Sequence, residues 1–215
     1  EMCIRDSPTP SDTNFQVKTV PDSLAPYLSP AFYLTPPVDA TQENTIYINP
    51  SQNTDGITLL TTLAHEGYPG HLYFFNYVKQ QGWHPINFFV SNIGFEEGWA
   101  EYAARLSLDS WGLDPDMMEV IFLDQEFSYL LMGLSDIGIN YGGWTVDDVY
   151  DLWETYFYLD SAEDVSDVYD ACMAEPGTIL SYSIGYYQIC DLEEEVKEML
   201  GESFDHNEFV TELLS

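Results

Sequence analysis

The sequence predicts a mainly α fold with a small β edge near its N-terminus, and three observations carry that prediction. Eight of the twelve prolines fall between residues 8 and 50, which keeps that stretch out of helix. From Thr54 onward apolar residues recur at helical spacing, punctuated by Gly and Pro at roughly helix-length intervals. Hydrophobic residues make up 45% of the 215, enough for a substantial core.

The elements follow in order. The opening EMCIRDS, residues 1–7, resembles a translated sequencing-adaptor artefact and is read as non-native. Residues 8–54 form an extended segment in which AFYL and NTIYIN, aromatic and β-branched, are two strands. Residues 55–215 form the helical part. Its first helix carries Ile57, Leu60, Leu63 and Ala64 behind Thr54 or Asp55 as N-cap. Further helices are expected at 71–81, 95–109, 115–138, 145–158, 161–173, 178–200 and 206–214. Cys172 and Cys190 fall in separate helices without C-x-x-C spacing, which suits buried thiols better than a zinc cluster or a disulfide framework. The chain opens without an initiator methionine and stops at TELLS inside a helix, as a C-terminal portion of a longer protein would.

Charge narrows the partners. Five Lys and Arg against 37 Asp and Glu give a net charge of −32. Nucleic acid and anionic lipid are bound through cations, so both are excluded. A metal ion or a peptide amine would be attracted. No run approaches the roughly 18 apolar residues that cross a bilayer. So acidic a surface suits extracytoplasmic display, secreted or at the cell surface. Composition does not speak to oligomeric state.

The chemistry sits in AHEGYPGH, residues 64–71. Helical residues advance by about 100° each, so histidines four apart can share a metal whereas histidines six apart point about 240° away from each other. A straight helix through His65 and His71 makes no site. Pro69 forbids a straight helix, because it lacks the N–H owed to the carbonyl of His65 and its ring crowds that turn. Gly70 then permits backbone angles denied to other residues. Two outcomes are open: a bend that brings His71 round to face His65, or a helix end followed by a new helix with both rings merely packed. A later helix carries GFEEGWAEYAARL, residues 94–106. A catalytic zinc commonly takes three protein ligands and leaves a position for water. Glu97 is the third candidate after His65 and His71, with Glu101 one turn on as a carboxylate supporting the ligands. The competing reading of any one of these acids is a solvated face of a very acidic protein.

His65-Glu66-Gly67-Tyr68-Pro69-Gly70-His71 and Glu97-Gly98-Trp99-Ala100 together resemble the bacterial "domain of unknown function 885" family, marked by H-E-x-x-P-G-H followed by E-G-W-A. EPGTILSYSIGYYQI, residues 175–189, is similar to that family's Pro-then-Tyr-x-x-Gly block. The family looks gluzincin-like, and that resemblance implies a helical zinc metallopeptidase with a β edge beside the metal helix. The chain departs from the family pattern at Asn140, Val210 and Ala171-Cys172. On this reading Zn2+ is held by His65, His71 and Glu97, and Glu66 is the general base for an attacking water. Tyr182 is the candidate donor to the oxyanion. The substrate is a peptide or peptide-like molecule, laid along the extended TIYIN run. The rival reading is a non-catalytic helical binding module that keeps the metallopeptidase-like fold.

Overall fold

The computed structural model describes residues 14–37, 43–52, 55–82, 84–88, 90 and 92–215, and the opening residues 1–7 lie outside these. The chain is mainly helical, with one three-stranded sheet near the N-terminus. Strands β1 (Phe15–Thr19), β2 (Ala31–Leu34) and β3 (Asn44–Ile48) lie in the order β1-β3-β2. β3 pairs parallel to β1 and antiparallel to β2, with Tyr33 opposite Ile46.

The sheet corrects two expectations. FQVKT is a third strand, hidden from sequence reading because all five of its residues are exposed and no burial pattern marks it. TIYIN, moreover, is the central strand. Its backbone is hydrogen-bonded on both sides, so it has no open edge for a substrate. The open edge near the helices belongs to β2.

Among the described residues eight α-helices follow: α1 (Gly56–Glu66), α2 (His71–Gln80), α3 (Ile93–Ser107), α4 (Pro115–Asn140), α5 (Val146–Trp153), α6 (Ser166–Ala174), α7 (Thr178–Leu200) and α8 (His206–Leu213). The abundant acids start them. Asp55 accepts from the amides of Ile57 and Thr58, both at 2.9 Å, and Asp114 and Asp205 cap α4 and α8 in the same way. The Thr58 amide and hydroxyl hold the Asp55 carboxyl below its ordinary pKa. Pro115 stands in the first turn of α4, where its missing N–H costs nothing. Among the described residues no helix is long and apolar enough to cross a membrane.

The chain divides into two compact units. The first holds residues up to 92 with 99–113 and 189–215; here Tyr33, Ile46 and Leu72 pack with Leu63, Tyr68 and Phe75 between sheet and helices. The second holds 93–98 and 114–188, around Ile139, Val149, Val165 and Cys172. Cys172 is a buried thiol, as expected, whereas Cys190 is only half-buried; burial, then the charge of Asp136, pushes the Cys172 pKa up. Asn140, one of the departures from the family pattern, donates to Asp136 Oδ1 at 2.9 Å and to the carbonyl of Cys172 at 3.0 Å. It is a structural tie of the second unit.

Candidate metal centre

The site begins with the way α1 ends. The amide of Gly67 still reaches the Leu63 carbonyl at 2.9 Å, but Pro69 donates nothing and the next bond, from Gly70 to the Ala64 carbonyl at 3.0 Å, spans six residues. The Tyr68–Pro69 peptide is cis. α2 then starts at His71. A Cβ on Gly70 would lie 1.7 Å from the carbonyl oxygen of His65, so only glycine fits where the chain folds back on itself. Both outcomes foreseen for Pro-Gly are present: it ends one helix and starts another, and the two imidazoles meet. Their centroids are 4.7 Å apart with planes at 86°.

The third group comes from α3. His65, His71 and Glu97 each offer a ligand atom, and these atoms lie within 4.8 Å of one another. His65 and His71 are buried and Glu97 is half-buried. A tetrahedral ion with bonds of roughly 2.0–2.2 Å keeps its ligand atoms about 3.4 Å apart, so small side-chain rotations bring this set onto one centre. Two imidazoles and a carboxylate are a donor set that suits zinc. The residues fit the ion.

The carboxylate of Glu101 lies 3.0 Å from Nδ1 of His65, with both side chains buried. In metal sites a carboxylate on one imidazole nitrogen leaves the other nitrogen to the ion. α3 is fixed at this level by its neighbours. Trp99 is fully buried and stacks on Tyr73 of α2 at 5.8 Å. Gly98, the residue after Glu97, lies against the backbone of Gly185 on α7; a Cβ there would stand 2.3 Å from the Gly185 carbonyl carbon. The glycines of E-G-W-A and of the SYSIG block are therefore the two sides of one close helix crossing.

Glu66 has a partner that the sequence does not reveal. Its Oε2 accepts the backbone N–H of Tyr33 at 2.8 Å, on the open edge of β2. Tyr33 is itself anchored: its hydroxyl donates to Asn44 Oδ1 at 2.7 Å, and Asn44 and Asn76 are joined amide to amide at 3.1 and 3.2 Å. Burial pushes the Tyr33 phenol above the ordinary tyrosine range, against the lowering effect of its bond with Asn76. Tyr182 is half-buried on α7 with its ring stacked on Tyr129 at 5.2 Å. The remaining histidines have local roles. His84 Nδ1 accepts the Ile86 amide at 3.2 Å, and His206 Nδ1 lies 2.9 Å from Glu193.

A family described as "Bacterial protein of unknown function (DUF885)" matches residues 4–215. No curated protein matches the sequence. Two solved structures described as putative lipoproteins share the fold. One, from Colwellia psychrerythraea, has a TM-score of 0.82 and 25% identity over 96% of this chain and 36% of its own. The other, of unknown function and from Shewanella oneidensis, has a TM-score of 0.74 and 19% identity over 97% of this chain and 39% of its own. The chain thus spans little more than a third of the length of these structures.

Proposed function

We propose a zinc-dependent hydrolase centred on His65, His71 and Glu97 for this chain, which belongs to the bacterial DUF885 family. The observation that supports this reading is the convergence of two buried imidazoles and a carboxylate drawn from three helices, with a further buried carboxylate on His65. Isolated acids in an acidic chain do not produce such a set. A bound zinc ion supplies a Lewis acid and a water of lowered pKa.

The residues of the chain do the rest. Glu101 holds His65 in one tautomer. Glu66, next to a ligand and steadied by the Tyr33 amide, accepts the proton of the attacking water and returns it to the leaving amine. Tyr182 donates its O–H to the oxyanion. Its support is the helix that bears it: α7 crosses α3 at Gly98, directly after Glu97 and one turn from Tyr182. The gluzincin-like fold and a peptide substrate belong to the same reading. Extracytoplasmic display draws support from the charge of −32 and from the description of the solved relatives as putative lipoproteins.

The test measures zinc and turnover in parallel. The protein is expected to carry one zinc per chain and to cleave a mixed peptide library in a chelator-sensitive way. Glu66→Gln keeps the zinc and lowers turnover by at least ~100-fold. Absence of stoichiometric zinc from the unaltered protein would favour the binding-module reading instead.

A further inference from the structure

α4 carries apolar residues on two faces, and only one is covered. Met118, Phe122, Leu131 and Ile139 are buried. On the other side Val120, Leu123, Phe127, Leu130, Leu134 and Ile137 are each between 37 and 66% exposed. Their spacing is 3, 4, 3, 4, 3, the repeat by which one helix lies along another. Over 17 residues at about 1.5 Å each, the stripe is roughly 26 Å long and one helix wide. Phe127 extends it sideways, its ring 5.2 Å from Tyr156 and 6.2 Å from Phe157, both exposed. A contiguous exposed stripe of this size marks an interface.

We infer that this face of α4 is the seat of a helix supplied by the part of the longer family polypeptide that lies outside the residues present here. Two observations select that occupant. The matched region is only 36% and 39% of the two solved relatives, so in them most of the polypeptide lies outside it. A second copy of this chain is disfavoured by charge: Asp116, Glu119, Asp124 and Glu126 flank the stripe, and each copy carries −32. A helix tethered in the same chain needs no such encounter and gains the effective concentration of the tether.

The experiment replaces the stripe in two proteins. One is this chain with Leu123→Gln, Leu130→Gln and Leu134→Gln; the other is the intact Colwellia psychrerythraea protein with glutamine at the three superposing positions. The melting temperature of this chain should move by less than ~2 °C, because the replaced side chains already face water. That of the intact relative should fall by ~5 °C or more, because there the same face is covered. Equal small shifts in both would overturn the inference and leave the stripe to a partner in trans. Equal large shifts would overturn it by making the stripe part of this chain's own core. Sedimentation of this chain as a dimer that the triple variant dissolves would also overturn it, in favour of a second copy.

Discussion

Asp136 and Glu101 are both almost fully buried acids, at 2% and 4% exposure, and their surroundings differ in kind. Asp136, within the α4–α6 unit, spends both oxygens locally: one accepts from Asn140, the other from the Gly177 amide at 2.8 Å. Nothing is left over for chemistry. Glu101 instead lies 3.0 Å from an imidazole whose ligand atom is within 4.8 Å of those of a second imidazole and a second carboxylate. A buried charge alone does not mark a functional site. What sets the second place apart is ionisable groups from separate elements gathered within reach of one another, an arrangement that clusters at functional sites.

The comparison can be tested by substitution. The largest effect is expected from Gly70→Ala, where the added methyl meets backbone rather than a flexible side chain. It should cost ~4 kcal/mol or more in chemical denaturation and abolish zinc uptake. Asp136→Ala strands the Gly177 amide and takes one of two acceptors from the Asn140 side chain, and should cost ~3 kcal/mol. Zinc affinity of the folded fraction, read by competition with a chromophoric chelator, should not change; a drop would show that the two regions are not independent. Glu101→Gln should reverse the pattern, weakening zinc by ~10–100-fold while the apo protein melts as before. The smallest effect belongs to Asp55→Ala, which removes the cap of α1. Because bonding holds the Asp55 carboxyl low, its contribution is present above the unfolded carboxylate range and fades as pH falls through the lowered value. The variant should melt earlier at pH 7, and the gap should close in acid.

Much of this architecture is legible from residues alone. Gly and Pro mark where α2, α4 and α7 begin or end, and the expected bounds of these three agree with the structure to within two residues, whereas α5 ends five residues before the expected 158 and α6 begins five after the expected 161. That His65 and His71 could meet is legible, since a spacing of six brings two rings together only if Pro69 breaks the helix, but the sequence alone leaves open whether they would. Other features leave no local trace. β1 has no buried side chain to give it a period, and its pairing with β3 joins residues 29 positions apart. The bond from the Tyr33 amide to Glu66 uses backbone, which every residue possesses. Gly98 and Gly185 look like ordinary helix-weakening glycines until the two helices are seen to touch. Periodicity records which face of an element is buried but not what it is buried against.

One consequence of the Tyr33–Glu66 bond concerns association. An open strand edge displays amides that invite growth by another strand. On β2 the amide of Tyr33 is already claimed, and the claimant carries negative charge. The carboxylate proposed to handle protons thereby also guards the sheet, and a neighbouring molecule seeking to extend β2 meets a filled position and a like charge.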